Sequence, residues 1–205
     1  MKLKLGILIS GRGSNMVAIQ NAIENKSLAA SIELVISSNS KADGVKKAKA
    51  FGLNTISIEQ NQFESKKDYE KEIVSNLLKK DVDLVVLAGY MKLVQTEILT
   101  AYKNRIINIH PSLLPSFKGL NAQKQAIEAG VRISGCTVHF VDETLDGGAI
   151  ISQNAVLVNS EDTEETLCNK ILIEEHKALP KAINSFGKNQ IKIINNKTIV
   201  KGDKK

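Results

Sequence analysis

Short runs rich in branched apolar residues recur at positions 3–10, 32–37, 54–58, 84–88, 106–110, 136–141 and 150–158, and each reads as a strand. Between the first five runs, apolar residues return at helical spacing over 16–24, 42–51, 66–79 and 91–101. Strand–helix–strand alternation of this kind predicts a Rossmann-like α/β fold: a mostly parallel, twisted sheet of about seven strands with helices on both faces. Leu84-Val85-Val86-Leu87 has no polar position and suits a central strand buried on both sides. Ligands of such sheets gather at the carboxyl ends of the strands.

A further helix is expected from about 163 to 186, with Asp162 three residues before Glu165 as a capping box and a break or kink at Pro180. The last apolar alternation, 191–200, reads as a β-hairpin turning at Asn195-Asn196. No linker, repeat or low-complexity tract divides the chain, so residues 1–205 are expected to form a single domain, with 188–205 as a basic C-terminal hairpin and tail.

The charge of +6 first suggests a polyanion partner, but six lysines against one aspartate in 188–205 account for +5 of it. The rest of the chain is nearly neutral. With no Trp, three Tyr and five Phe there is also no stacking platform, which argues against nucleic acid. The lysines read better as the charged face of an edge ribbon. No run reaches the roughly 18 apolar residues of a membrane helix, and the stretch 5–9 is too short for a signal peptide. Cys136 and Cys168 form no CxxC pair, and His110, His139 and His176 have no ligand spacing, so no metal is expected. A cytoplasmic setting fits these features best.

Three polar segments interrupt the apolar framework. Gly11-Arg12-Gly13-Ser14-Asn15 follows the first strand and opens the first helix, where backbone N–H groups and the Ser14 hydroxyl can receive a phosphate. It lacks the third glycine of a dinucleotide fingerprint, and the same residues can be read as a plain turn with Ser14 capping the helix. Asn108 and His110 stand two apart at the end of the fifth strand and so share a face. An amide donor beside an imidazole suits a carbonyl becoming tetrahedral, although strand-end hydrogen bonding alone would use the same residues. The third segment, Asp142-Glu143-Thr144-Leu145-Asp146-Gly147-Gly148, is a strand-end loop that reads either as a solvated acidic turn or as a partner for His110. An Asp beside that ring would favour the imidazolium, a better proton donor near neutrality. Neither Ser112 nor Cys136 has the setting of a nucleophile, which leaves direct transfer without a covalent intermediate. His139, inside a strand, is expected to be a packed core residue.

In their order along the chain, Gly-Arg-Gly-Ser-Asn (11–15), Ala-Gly-Tyr-Met (88–91), Ile-Asn-Ile-His-Pro-Ser-Leu-Leu-Pro (107–115) and Leu-Asp-Gly-Gly (145–148) closely resemble the phosphoribosylglycinamide formyltransferases, folate-dependent enzymes of purine synthesis. The resemblance implies a catalytic set of Asn108, His110 and Asp146 and a formyl donor, 10-formyltetrahydrofolate. It implies that Gly13, Ser14 and Asn15 hold the acceptor's phosphate and Glu175 its ribose. It assigns the folate to Lys66, Met91, Lys92, Leu93, Val94 and Asn108, together with the loop residues Asp142, Glu143, Thr144, Leu145 and Asp146. The expected partners are these two small molecules. Lys66 and Lys92 replace arginines common among relatives, Asn121 replaces a histidine, and Leu172 stands where a polar contact can occur. Two other readings use the same residues: a 10-formyltetrahydrofolate hydrolase, and a non-catalytic phosphate- or nucleotide-binding module.

Overall fold

The computed structural model describes residues 2–201. The chain forms two compact units, Met1–Asn108 and Ile109–Lys205. The first alternates β1 (Leu3–Ile9), α1 (Ser14–Glu24), β2 (Ala30–Ser37), α2 (Asp43–Ala50), β3 (Thr55–Ser57), α3 (Lys66–Lys79), β4 (Leu84–Leu87) and α4 (Thr96–Ala101), and ends within β5 (Ile106–His110). Its strands pair in parallel, β1 with β2 and β4, β2 with β3, and β4 with β5. Leu84, Val85, Val86 and Leu87 are all buried, as required of a strand covered on both faces. Gly6 explains how α3 lies so close: a Cβ there would collide with Leu77 of that helix and press on Val82.

The second unit contains α5 (Ala122–Glu128), the antiparallel pair β6 (Ile133–Phe140) and β7 (Ile150–Leu157), α6 (Glu164–Gly187), and a hairpin of β8 (Ile191–Ile194) and β9 (Lys197–Val200). α6 packs its apolar stripe of Leu167, Ile171, Ala178, Leu179, Ala182 and Ile183 on β6 and β7. The hairpin turns at Asn195 and Asn196, both left-handed, as a two-residue turn of the primed type requires. The strands follow the order β3-β2-β1-β4-β5-β6-β7 in a seven-stranded sheet, and the hairpin stands as a separate two-stranded ribbon. The mostly parallel α/β architecture, the strand count and the hairpin are therefore as expected; residues 202–205 of the basic tail lie outside the described residues.

Three local expectations are corrected, and one element is new. The helix anticipated over 91–101 begins only at Thr96, because residues 91–95 are held off helical geometry by Ser10 and Glu70, as described below. The box opening α6 is Thr163 with Thr166; Asp162 instead accepts from Asn159 N and the Lys170 ammonium. Pro180 does not end α6, since burial of Ala178, Leu179, Ala182 and Ile183 on both sides of it outweighs the lost hydrogen bond. α5 was not anticipated; it is short, and its N-cap Asn121 makes no side-chain cap bond that would mark its start.

Candidate active site

β5 is a buried apolar strand whose alternation sends the side chains of Asn108 and His110 to one face at its carboxyl end. His110 is 5% exposed. Its Nε2 lies 2.8 Å from the carbonyl oxygen of Phe117, which can only accept, so Nε2 carries a proton. Its Nδ1 lies 3.5 Å from Asp146 Oδ2. That same carboxylate oxygen accepts the Gly119 N–H at 2.8 Å, while Oδ1 faces His139 Nε2 at 3.9 Å.

The chain after His110 is built to make these contacts. Phe117, Gly119 and Asn121 are all left-handed, so the segment coils back over the strand end and presents one carbonyl to His110 and one N–H to Asp146. It is fastened from beneath by Thr137 of β6, fully buried, whose Oγ1 donates to Ser112 O at 2.7 Å and accepts from Leu114 N at 3.0 Å. Gln153 of β7 completes the support by donating to Leu114 O. Ser112, also fully buried, donates to Ser116 O and is part of this framework.

Asp146 sits in a tight loop. Asp142 Oδ1 accepts from both the backbone and hydroxyl of Thr144, which starts the turn, and Asp146 itself is left-handed. A Cβ at Gly147 would collide with Thr144, and one at Gly148 with the carbonyl of Phe140. The paired glycines are thus what allows the aspartate to double back toward His110.

His139 is packed in the core as expected, at 2% exposure, but it is also a neighbour of Asp146. Burial lowers its pKa, only partly opposed by its bond to Phe140 O and by Asp146. It is therefore a neutral ring with its proton on Nδ1. Burial also pushes the Cys136 thiol up to about 12, with Glu175 adding to the effect, so this cysteine is no nucleophile. Glu175 itself is 7% exposed on α6.

Within the first unit, the glycine-rich turn has the features of an anion cradle. Gly13 is the left-handed N-cap of α1, and the helix start has no side-chain cap, so Ser14 is not the capping residue. Gly13 and Gly44 nearly touch: a Cβ on Gly13 would lie 2.6 Å from Gly44 Cα, and Gly44 N donates to Gly11 O at 3.0 Å. Lys47 Nζ adds a cation beside the turn, donating to Arg12 O at 2.8 Å. Separately, Lys66, Tyr69, Glu70, Met91, Lys92 and Leu93 line a small, open cavity. Four of the folate residues expected from sequence thus share one cavity; Val94 is not on its wall. Met91 and Leu93 are about two-thirds exposed, an apolar pair offered outward.

Sequence reasoning missed the Phe117 carbonyl, the Gly119 N–H, Thr137 and Glu70. Backbone groups leave no trace in residue type, and the only hint was a glycine in Lys118-Gly119-Leu120. Among the described residues no three His, Cys, Asp or Glu side chains gather as a cation site, and no helix is long and apolar enough to cross a membrane.

Residues 3–183 match the family model described as formyl transferase. The chain is 40% identical over 183 residues to the phosphoribosylglycinamide formyltransferase of Bacillus subtilis (strain 168), covering 89% of this chain and 94% of that one. It is 41% identical over 192 residues to the trifunctional purine biosynthetic protein adenosine-3 of Gallus gallus, covering 94% of this chain but spanning only 19% of that much longer protein. Among solved structures, glycinamide ribonucleotide transformylase 1 from Symbiobacterium toebii superposes with a TM-score of 0.96 at 41% identity, covering 98% of this chain and 94% of that one.

Proposed function

The chain belongs to the formyl transferase family and, within it, to the phosphoribosylglycinamide formyltransferases, and from that premise we propose how its residues carry the reaction. It is an enzyme of purine biosynthesis that transfers a formyl group to the amine of phosphoribosylglycinamide. The donor in this proposal is 10-formyltetrahydrofolate, and residues 1–205 act as one formyltransferase domain.

The observation that carries the mechanism is the buried pair His110–Asp146, 3.5 Å apart, with the other ring nitrogen of His110 already committed to Phe117. Nδ1, on the Asp146 side of the ring, is then the nitrogen that meets substrate, its longer contact leaving room for the formyl oxygen. As the acceptor amine attacks the formyl carbon, negative charge collects on the formyl oxygen. Asn108 donates its carboxamide N–H to that oxygen, and the His110 imidazolium passes it a proton. The Asp146 carboxylate faces the ring, where it offsets positive charge that the ring carries during transfer, and is itself oriented by Gly119. Collapse restores the carbonyl and returns the oxygen's proton to His110, breaks the carbon–nitrogen bond to N10 of the folate, and delivers to N10 the proton that the amine gives up. Charge on the reacting oxygen is met by Asn108 and His110, so the step requires no metal.

Gly13, Ser14 and Asn15 hold the acceptor's phosphate through the uncapped first turn of α1, with Glu175 as the ribose contact. Lys66, Met91, Lys92, Leu93 and Val94 take the folate, the two ammonium groups receiving its carboxylates. The loop residues Asp142, Glu143, Thr144 and Leu145 supply further backbone contacts to the same molecule. The location in this reading is the cytoplasm, and its small-molecule partners are the formyl donor and the acceptor.

The test is a transfer assay with 10-formyltetrahydrofolate and phosphoribosylglycinamide. Formylated product is expected only when both are present. Formate released equally fast with the acceptor withheld would instead mark a hydrolase, and no turnover of either kind would leave only the binding-module reading.

A further inference from the structure

Residues 91–94 belong to neither helix nor strand, yet they are pinned at both ends. At one end Met91 N donates to Ser10 Oγ at 2.8 Å, and Ser10 is itself hydrogen-bonded to Ser38 at 2.7 Å. Beside it the hydroxyls of Tyr69 and Tyr90 are 2.6 Å apart. At the other end stands Glu70 of α3. It is 3% exposed, and its carboxylate accepts three backbone N–H groups, from Gln95 in a short contact, from Glu97 at 3.1 Å and from Ile98 at 3.4 Å. Those amides open α4 and would otherwise lack partners.

Glu70 also lines the cavity that carries Lys66 and Lys92. An anion there would oppose any carboxylate drawn to the two lysines. Its charge, however, is directed into three N–H donors and the positive end of α4. Lys66 and Lys92 line the cavity beside it, while Met91, Lys92 and Leu93 remain exposed on the span that Glu70 and Ser10 pin.

We propose that Glu70 is a positioning residue for the formyl donor: by capping α4 it fixes residues 91–94 as a rigid edge against which the folate is read. The proposal rests on the assignment of those residues and of Lys66 and Lys92 to the folate.

Glu70→Gln keeps the size but turns an NH₂ group toward backbone donors, and Glu70→Asp keeps the charge. In Glu70→Gln the KM for 10-formyltetrahydrofolate is expected to rise about tenfold, while kcat and the KM for phosphoribosylglycinamide stay within about twofold. Glu70→Asp is expected to recover most of that loss. An unchanged donor KM, a parallel fall in every kinetic parameter, or an Asp variant as poor as the Gln variant overturns the proposal. A second measurement needs no variant: in the wild-type enzyme, 10-formyltetrahydrofolate added without acceptor is expected to slow amide exchange across residues 91–98. A wild type that transfers formyl groups but shows no such slowing also overturns the role given to Glu70. A wild type that transfers none refutes the underlying functional reading instead.

Discussion

His110 and Asp146 face each other across 3.5 Å, and the aspartate oxygen that meets the ring is the one already fixed by the Gly119 N–H at 2.8 Å. The aspartate is thus aimed before any substrate arrives, and an arrangement of this kind needs no reorganisation as charge develops. Asp146→Asn keeps the shape and removes the charge. Its kcat is expected to fall about 100-fold or more, with acceptor binding retained. Steady-state rates beside calorimetric titration with phosphoribosylglycinamide check this; an Asn variant with wild-type kcat would show that the carboxylate plays no part.

The glycine-rich turn depends on two backbones in near contact. Gly13 is left-handed, and a Cβ on it would lie 2.6 Å from Gly44 Cα, which cannot step aside as a flexible side chain could. Gly13→Ala is expected to cost about 2 kcal/mol of stability and to raise the KM for phosphoribosylglycinamide. Thermal denaturation and acceptor kinetics read the two effects separately, and an unchanged melting temperature would contradict the close approach.

Two histidines, His139 buried and His176 partly buried, predict how stability follows pH. Burial lowers the pKa of His139 and of His176 below the ordinary 6.5. Below that value the unfolded chain binds protons that the folded protein refuses, so their contribution is fully present above pH 6.5 and is lost as pH falls from there through the lowered folded values. Denaturant titrations are expected to show stability declining as pH falls below 6.5, with a shallower decline in His139→Gln. An identical pH slope in that variant would remove His139 from the account.

In the proposed reading, Lys66 and Lys92 offer the folate carboxylates point charges where an arginine would offer a two-pronged fork. Lys92→Arg is accordingly expected to lower the KM for 10-formyltetrahydrofolate about threefold or more and to leave the acceptor KM unchanged. If arginine at neither position 66 nor 92 alters the donor KM, the carboxylates bind elsewhere.

The parts of this protein that were legible in its sequence are those written in side-chain periodicity. Leu84–Leu87 announced a buried strand by having no polar position, and β5 presented Asn108 and His110 together because a strand repeats every two residues. Residues 91–95 misled because their apolar spacing looks helical, whereas tertiary bonds from Ser10 and Glu70 hold them out of helical geometry. Pro180 misled in the opposite sense, since its local cost is overridden by the packing of α6. The contacts that set His110 and Asp146 come from the Phe117 carbonyl and the Gly119 amide, groups every residue possesses. His139 was read correctly as buried, yet nothing in its strand position disclosed that Asp146 lies beside it.

The most direct measurement is formyl transfer by His110→Ala compared with wild type, with phosphoribosylglycinamide binding followed in parallel. The mechanism predicts turnover reduced about 1000-fold with acceptor affinity intact. Transfer at the wild-type rate in that variant would show that the imidazole at the end of β5 does not serve the reacting formyl oxygen.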